Sequence, residues 1–385
     1  MLSKKLVIIG RGTAGCYALS HFHTYTDWNI ELYYDENIPQ QAVGEGATLN
    51  FPRTLYHNLN FRHYDLKKID GSPKLGIYKK YWSSKEFIHD FLPPDISYHF
   101  NAIKLQDYIL NQFKESKRVK IKNTNISKEK IDADFIMDCS GKPKDFTGYH
   151  IFDSIPVNSV YITQCPCDKP LFENTLTIAR PYGWVFGIPL QNRCSIGYLY
   201  NKNFSELPEI KEDVKNVFNE FKLTPSEKTN QFNFDSYKKI INFKDNICFN
   251  GNASFFLEPL EATSISTMDF IQRGAFDLWH QNTSYEQINQ EYHEFLEKIE
   301  TIICLHYLSG SVFDTEFWKM AENLAVKKMK KATKQLYFKE IISYLETGNN
   351  RLGDEEHGTW PVRSYKQNIL GLEIEKKLLR SINND

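Results

Sequence analysis

Three glycines close a short apolar run near the N-terminus and strongly limit the fold of this region. Lys5 to Ile9 is followed by Gly10, Gly12 and Gly15, and apolar side chains then recur at helical spacing. Strand, glycine turn and helix in this order are typical of a dinucleotide-binding fold, because glycine lets the backbone approach a pyrophosphate at the positive end of the helix. The predicted dinucleotide contacts are Gly10, Gly12, Thr13, Ala14 and Gly15. An ordinary tight turn is the alternative.

A second predicted strand supports the same fold. Asn29 to Tyr34 is an apolar stretch that ends at Asp35. An acid roughly 20 residues after the glycine turn suits the ribose hydroxyl of a bound dinucleotide. We therefore predict that Asp35 also contacts the cofactor.

The chain has 385 residues, which favours one large α/β unit with an appended region. Alternating apolar and polar residues from Asn174 to Tyr200 predict antiparallel strands, and helical periodicity dominates from Thr267 onward. We predict a core over residues 1–270, into which a second sheet is inserted at about 75–105 and 151–245. A helical region over 271–385 completes the molecule.

Charge and cysteine content exclude several classes of partner. The formal net charge is −1, which supplies no broad field for nucleic acid or an anionic membrane, so we expect a small-molecule partner. The seven cysteines are an odd number, and the spacing of Cys165 and Cys167 does not fit a zinc pair, so we expect reduced thiols and no metal.

The first strand begins near Met1 and no apolar run could span a bilayer, which predicts a cytoplasmic protein. The basic run from Lys327 to Lys334 is interpreted as a solvated helix face.

Three further motifs could carry chemistry. Val43 to Thr48 is rich in glycine and could wrap a cofactor ring, or it could be a plain loop. Gly183 to Pro189 places Trp184 and Phe186 on one face of a strand, either as the wall of a cavity or as a core pair. Phe256 to Ser264 contains two glutamates, and the amides after Glu261 could form an anion-binding turn; a surface turn is the alternative.

Taken together and in this order, the motifs resemble the flavin-dependent tryptophan halogenase family, of which this chain would be a short variant. The resemblance implies a Rossmann-type FAD-binding domain with a substrate-side sheet and a mainly helical C-terminal region. It rests on the glycine turn, Gly44–Thr48, Pro73–Gly76, Tyr98–His99, Asp138–Gly141, Gly183–Pro189, Leu257–Ile265, His306–Tyr307, Asp314–Trp318 and Leu370–Gly371.

The resemblance implies a reaction and two catalytic residues. In the family, FADH2, oxygen and a halide generate hypohalous acid, which passes through a tunnel to a lysine that matches Lys74 here. The lysine either hydrogen-bonds to the oxidant as an ammonium or forms a haloamine as an amine. Glu261 matches the family's carboxylate, which polarises the halogen donor or accepts a proton from the substrate. A surface lysine is the alternative for Lys74, since Lys79 and Lys80 lie close by in the chain.

The resemblance also implies contacts with cofactor, halide and substrate. The further cofactor contacts are Gly44, Glu45, Ala47, Thr48, Leu257 and Ile265. The halide would bind the backbone amides of Thr263 and Ser264, where the family has Thr-Gly. Because serine resists the positive φ that glycine permits, we expect altered halide affinity. Since bromide and iodide are more easily oxidised than chloride, we expect that this modified turn uses them in preference. Residues of the tunnel and substrate side are Trp184, Phe186, Pro189 and His99. Phe186 replaces a family tryptophan, and His99 is more simply a structural histidine.

The implied partners are small molecules and one other enzyme. We expect a separate NAD(P)H-dependent flavin reductase, because the chain has no second glycine motif for a nicotinamide. The chain is shorter than family members that bind free tryptophan, so we expect an indole, a phenol or a larger electron-rich aromatic. A homo-oligomer is left open. The competing functions are a flavin monooxygenase and a catalytically silent FAD-binding protein.

Overall fold

The computed structural model describes residues 3–38, 44–91, 94–124, 131–347 and 360–383. Within these residues, strands and helices alternate in the first part of the chain, and helices follow one another from residue 263 onward. This arrangement confirms the predicted α/β class and the helical C-terminal region. The domain boundary at residue 270 is not tested by the arrangement of the described residues, and it stays a prediction.

A mainly parallel sheet of six described strands forms the N-terminal layer. Its central strand is flanked by parallel neighbours on both sides, and only the last pair at one edge is antiparallel. In spatial order the strands are β17 (Phe243–Lys244), β18 (Ile247–Phe249), β9 (Phe135–Asp138), β1 (Lys5–Ile9), β2 (Asn29–Tyr34) and β8 (Val119–Asn123). The predicted bounds of the first two strands in the chain are confirmed. Short apolar runs form these strands because the sheet is covered on both faces.

A second sheet of seven described strands lies beside this layer, and most of its pairs are antiparallel. In spatial order it contains β15 (Thr229–Asn233), β11 (Ser159–Pro166), β14 (Arg193–Tyr200), β13 (Gly183–Pro189), β12 (Asn174–Arg180), β5 (Gly76–Lys80) and β6 (Phe87–Asp90). The antiparallel strands predicted between residues 174 and 200 are confirmed. The pairing of β12 with β5 is parallel and joins two distant parts of the chain.

Two small sheets complete the β-structure of the described residues. One joins β3 (Gly44–Gly46), β7 (Ser97–Asn101) and β4 (Ser72–Lys74), with β7 in the middle. The other joins β10 (Tyr149–Ile151), β16 (Tyr237–Lys239) and β19 (Phe255–Phe256). The first is important for function, because it brings three sequence motifs into adjacent strands.

Helices cover the sheets and form most of the C-terminal region. They are α1 (Thr13–Tyr25), α2 (Asn50–Leu59), α3 (Ala102–Phe113), α4 (Leu207–Glu220), α5 (Thr263–Trp279), α6 (Tyr285–Ser309), α7 (Glu316–Ala332), α8 (Leu336–Thr347), α9 (Val362–Gly371) and α10 (Glu375–Asn383), with short 3-10 helices at His63–Ile69 and Gly251–Ala253. Among the described helices, none combines the length and apolar character needed to cross a bilayer.

One continuous apolar core joins the parallel sheet to the C-terminal helices. A second, smaller core lies between the seven-stranded sheet and α4. The seven cysteines all fall within the described residues, and none of them forms a disulfide there. The interpretation of the basic run as a solvated face is wrong for Lys328, which is buried and donates to the Glu300 carboxylate at 2.6 Å.

Candidate active site

The glycine turn connects β1 to α1 and has the shape of a pyrophosphate cradle. Gly10 has a φ of +101°, and a Cβ there would lie 2.2 Å from the carbonyl oxygen of Cys139. A Cβ at Gly15 would lie 1.9 Å from the carbonyl oxygen of Gly10, whereas a Cβ at Gly12 would meet no atom within 4 Å. Gly10 and Gly15 therefore pack the turn, and Gly12 faces open space at the start of α1. Since no side chain caps this helix, its first amides and its dipole suit an anionic ligand.

Asp35 lies at the carboxyl end of β2, next to the end of β1. Its side chain is half-buried, and Oδ1 accepts hydrogen bonds from the backbone and the side-chain amide of Asn37 at 2.9 Å. Carboxylate oxygens have further acceptor capacity, so the residue can still accept a ribose hydroxyl.

The loop from Gly44 to Thr48 links the glycine turn to the small sheet. Thr13 Oγ1, at the start of α1, donates to Glu45 Oε1 at 3.4 Å. Desolvation raises the pKa of Glu45 to about 7. Two residues later, the Ala47 amide donates to the carbonyl oxygen of Tyr98 at 3.0 Å, and the carbonyl oxygen of Thr48 accepts from Ser97 Oγ at 2.8 Å. Residue 43, the first of this motif, lies outside the described residues.

Lys74 ends β4 and its side chain is fully buried. The alternative of a surface lysine is therefore wrong. Its Nζ donates to the carbonyl oxygen of Ala47 at 3.0 Å and lies 5.3 Å from the centre of the Phe91 ring. Burial lowers the pKa of Lys74 to about 7; the negative charge of Glu261 opposes this shift and the positive charge of Lys79 adds to it. An amine in this environment can exist in both protonation states near neutral pH.

His99 lies on β7, beside β4, and is also fully buried. Its Nε2 lies 2.8 Å from Thr175 Oγ1, and its Nδ1 lies 3.3 Å from Ser72 Oγ. Burial, with the charge of Lys74 nearby, holds the pKa of His99 well below its usual range. The ring is thus a neutral, hydrogen-bonded side chain next to Lys74, which fits a positioning role.

Glu261 is buried at the turn before α5 and is surrounded by hydrogen-bond donors. Lys79 Nζ donates to Oε1 at 2.5 Å, while His89 Nδ1 and Trp360 Nε1 donate to Oε2 at 2.8 Å and 3.1 Å. Burial alone would raise the pKa of Glu261, but the charge of Lys79 and the contact with His89 hold it well below its usual range. Glu261 is therefore a carboxylate at neutral pH.

His306, on α6, forms the remaining side of this cluster. Its Nδ1 donates to the carbonyl oxygen of Ile302 at 2.8 Å, so a neutral ring has its lone pair on Nε2. That nitrogen lies 2.8 Å from Lys79 Nζ and 3.1 Å from Glu261 Oε1. Because burial lowers the pKa of His306, the neutral ring accepts a hydrogen bond from Lys79. His306 and Trp360 bring the C-terminal helical region into the site.

Trp184 and Phe186 occupy alternate positions of β13, and their ring centres are 6.4 Å apart, as the same-face prediction requires. Trp184 is fully buried, and its Nε1 donates to Tyr307 Oη at 3.0 Å and to Glu258 Oε2 at 3.2 Å. The Phe186 ring lies across Gly197 of β14, where a Cβ would come within 2.2 Å of it. The carbonyl oxygen of Pro189 accepts from Ser72 Oγ at 2.6 Å, which ties β13 to β4.

Glu258 is a second buried carboxyl, behind the Trp184 ring. Tyr307 Oη donates to its Oε2 at 2.7 Å, while Oε1 has no hydrogen-bond partner among the described residues. Burial raises the pKa of Glu258 to about 8, although the bonds from Tyr307 and Trp184 lower it in part. Since both glutamates are buried, the alternative of a surface turn is wrong for this motif.

The proposed halide turn lies at the N-terminus of α5. Thr263 and Ser264 are the first two residues of this helix, and the positive φ values fall on Glu261 (78°) and Ala262 (57°) instead. The expectation that Ser264 would resist a positive φ is therefore wrong, because a helical residue needs none. The buried Thr263 Oγ1 has no hydrogen-bond partner among the described residues.

The comparisons with known proteins agree with this geometry. The model of the tryptophan halogenase family matches residues 5–130 and 114–382. The chain belongs to the tryptophan halogenase family. The family is flavin-dependent and uses FADH2, oxygen and a halide, which confirms the resemblance seen in the motifs.

Two curated relatives within the family show how far the sequence match extends. Tryptophan 6-halogenase SttH of Streptomyces toxytricini is 24% identical over 270 residues, which are 60% of this chain and 49% of that protein. Tryptophan 7-halogenase RebH of Lentzea aerocolonigenes is 25% identical over 212 residues, 50% of this chain and 39% of that protein. The chain thus spans about half the length of these relatives, or less.

Solved structures of halogenases share the fold over nearly the whole chain. A tryptophan halogenase from Shewanella frigidimarina has a TM-score of 0.80 at 16% identity and covers 99% of this chain and 93% of its own. BrvH, a flavin-dependent halogenase from Brevundimonas, has a TM-score of 0.78 at 19% identity and covers 99% and 94%. At such low identity the likeness shows the fold, and this confirms the predicted Rossmann-type architecture.

Several predicted site residues lie close together in this halogenase fold. Lys74 and His99 lie on the small sheet, and the loop Gly44–Thr48, which contains Ala47, begins on its strand β3. Glu261 lies in the adjoining cluster. Leu257 and Ile265 are buried in the main apolar core on either side of the Glu261 turn. Whether these two residues contact the cofactor stays a prediction.

Four buried residues of the site were not predicted as site residues: Lys79, His89, His306 and Trp360. A signal for Lys79 existed, because it lies two positions after buried Ile77 and therefore shares a face of β5 with it. His306 lies in the His306–Tyr307 motif of the family resemblance, but no role was assigned to it; His89 and Trp360 lie outside the motifs singled out in the sequence.

Proposed function

We propose that this chain is a FADH2-dependent halogenase that halogenates an electron-rich aromatic substrate through Lys74. The observation that carries the proposal is the position of this amine. Lys74 is fully buried and bonded to Ala47, on the same short loop whose Glu45 meets Thr13 at the start of α1. In this proposal, an oxidant made at the dinucleotide site would travel to an amine that is fully buried.

The residues around the glycine turn fit FAD. The open space at Gly12 and the uncapped start of α1 suit the pyrophosphate, and Asp35 suits a ribose hydroxyl. The loop Gly44–Thr48 would lie along the ring system. When bound as FADH2, the cofactor would supply, with oxygen and halide, the hypohalous acid.

Lys74 and Glu261 would have different roles. Lys74 has a pKa of about 7, so it can meet hypohalous acid either as an ammonium that donates a hydrogen bond or as an amine that accepts the halogen. Glu261 receives hydrogen bonds on both oxygens and stays ionised, which favours electrostatic stabilisation over proton uptake. The cationic ring intermediate formed on the substrate would be stabilised by this charge.

Trp184 and Phe186 would separate substrate from cofactor. Both rings are buried and held in place, Trp184 by Glu258 and Tyr307 and Phe186 by the close approach of Gly197. Phenylalanine in place of the family's second tryptophan keeps an apolar surface and lacks only the indole N–H. A diffusible oxidant would pass this wall where a substrate would not.

The halide would bind the N-terminus of α5. The amides of Thr263 and Ser264 lie in the first turn, where the helix dipole favours an anion, and the Thr263 hydroxyl, which has no partner within the described part of the chain, adds a donor. We propose that bromide or iodide is used in preference to chloride, because both are more easily oxidised. Ser264 supplies its amide as glycine would.

The substrate we propose is an indole, a phenol or a larger electron-rich aromatic, and a separate NAD(P)H-dependent reductase would supply FADH2. The relatives named above act on tryptophan according to their names. The C-terminal region of this chain reaches the site through His306 and Trp360 and would form part of the substrate enclosure.

The test is a reaction of the purified chain with FAD, a flavin reductase with NADH, oxygen and bromide, over a panel of indoles and phenols followed by mass spectrometry. Brominated product should form, and Lys74→Ala should reduce its rate by at least about 100-fold. FAD affinity, measured by fluorescence titration, should not change. Lys85→Ala is the matched control, because that side chain is largely exposed.

Two results would count against the proposal. Oxygenated product that forms equally well without halide would indicate a monooxygenase. FAD binding without any product across the panel, with bromide and with chloride or iodide in its place, would indicate a silent FAD-binding protein.

A further inference from the structure

The site contains a second fully buried lysine, Lys79, close to the first. Lys79 lies on β5 and Lys74 on β4, and neither side chain is exposed to solvent. Burying a lysine in an apolar interior is costly unless its charge is compensated. Two such residues beside one carboxylate therefore need an explanation.

The contacts of the two lysines differ. Lys79 donates to Glu261 Oε1 at 2.5 Å and lies 2.8 Å from the acceptor nitrogen of His306, so two of its three hydrogens are used by strong partners. Lys74 donates to a single neutral acceptor among the described residues, the carbonyl oxygen of Ala47. The charge of Glu261 is thus paired directly with Lys79. It acts on Lys74 as a nearby charge and not through a hydrogen bond.

We propose that Lys79 is a positioning residue. Its ammonium compensates the negative charge of Glu261, so that the Lys74 amine is not paired with a carboxylate. This inference rests on the function proposed above. Without Lys79, the Glu261 carboxylate would be a buried charge with Lys74 as the nearest remaining lysine. Lys74 would then be held more firmly as an ammonium, and a smaller fraction of it would be the amine at neutral pH.

The electrostatics around Lys74 support this division. The charged and titratable groups that face it are Glu261 before α5, Lys79 on β5 and His99 on β7. His99 is neutral at and above neutral pH, because its pKa lies well below its usual range. His89 on β6 contacts Glu261, and His306 on α6 contacts both Glu261 and Lys79, so the two histidines act on Lys74 through these partners. The protonation equilibrium of Lys74 is therefore set by the negative charge of Glu261 and the positive charge of Lys79.

The experiment follows the titration of Lys74 in the full chain labelled with ¹³Cε-lysine, from pH 5 to pH 9. The Lys74 resonance is identified as the one missing from Lys74→Ala. In Lys79→Met its midpoint should rise by about one pH unit, because a positive charge that lowers the pKa is removed. In Lys79→Arg, which keeps the charge, it should stay within about 0.3 units. Lys79→Met combined with Glu261→Gln should return it towards the wild-type value.

The pH profile of halogenation gives a second readout. Its midpoint should rise in Lys79→Met whichever form of Lys74 is active, because an ascending or a descending limb moves with the same pKa. The resonance does not depend on turnover. A chain that makes no product can therefore still support or overturn this inference, which separates it from the proposed function.

The inference is overturned if Lys79→Met leaves the Lys74 midpoint unchanged, or if Lys79→Arg shifts it as much as methionine does. If Lys79→Met does not fold but the double variant with Glu261→Gln does, the inference is supported, because an uncompensated buried carboxylate would then be the cause. If neither folds, a shifted midpoint in Lys79→Arg overturns it and an unshifted one supports it.

Discussion

Lys74 donates a hydrogen bond from its Nζ to the carbonyl oxygen of Ala47. Ala47 lies two residues after Glu45, which accepts a hydrogen bond from Thr13 in the first turn of α1. The glycine turn and the buried amine are thus connected by one short loop. Any change in this loop should affect both ends of the site.

The open side of the glycine turn gives the first prediction. Gly12→Val should weaken FAD binding by at least about tenfold without lowering the unfolding temperature, because the new side chain would occupy the space left for the pyrophosphate. Gly15→Ala should instead destabilise the fold by about 1–3 kcal/mol, since its Cβ would overlap the carbonyl oxygen of Gly10. Fluorescence titration with FAD and thermal unfolding separate the two effects. Wild-type affinity in Gly12→Val would place the pyrophosphate elsewhere.

The buried carboxyl of Glu258 gives a prediction on pH. Burial raises its pKa from the ordinary value of 4.5 to about 8, so the folded state keeps this proton while the unfolded state loses it. The stabilising contribution is complete below pH 4.5 and is lost as pH rises towards 8, at up to about 1.4 kcal/mol per pH unit. Glu258→Gln remains neutral, so its free energy of unfolding should exceed that of the wild type by a margin that grows from pH 5 to pH 8.

Urea unfolding at several pH values measures this margin. Glu227→Gln is the control for the substitution itself, because Glu227 is exposed. Parallel curves for Glu258→Gln and the wild type would mean that Glu258 is ionised in the folded protein.

The strained turn before α5 gives the third prediction. Ala262 has φ 57° and ψ 45°, a left-handed conformation that costs a residue with a Cβ about 1–2 kcal/mol. Ala262→Gly should therefore raise the free energy of unfolding by about 1 kcal/mol. Ala275→Gly, inside α5, should lower it by about 1 kcal/mol, since glycine is a poor helix former. Chemical denaturation checks both; an equal loss in the two variants would contradict the strain at Ala262.

Local patterns were sufficient for the dinucleotide fold. The first two strands have the bounds that their apolar runs predict, and the glycines between β1 and α1 pack as a tight turn requires. The alternation before and after Trp184 correctly predicts that its ring and that of Phe186 share a face of β13. Each of these features depends on residues that are neighbours in the chain.

The halide turn shows where such reasoning fails. Substitution of serine for glycine suggested strain at Ser264, yet that residue begins a regular helix, and the left-handed conformations fall on Glu261 and Ala262. Backbone conformation at a turn depends on how the flanking helix and strand are anchored, and a residue type alone does not report this.

The sequence alone determined the order of strand, glycine turn and helix, and it predicted Lys74 and Glu261 as site residues through the motifs that surround them. Only the tertiary structure decided that Lys79 pairs with Glu261, 182 residues away, and that His306 and Trp360 complete the cluster. The physical reason is that a buried charge is compensated by whichever groups the fold brings within hydrogen-bond distance. Sequence patterns describe an element's own periodicity, and they contain no information on which distant element will pack against it.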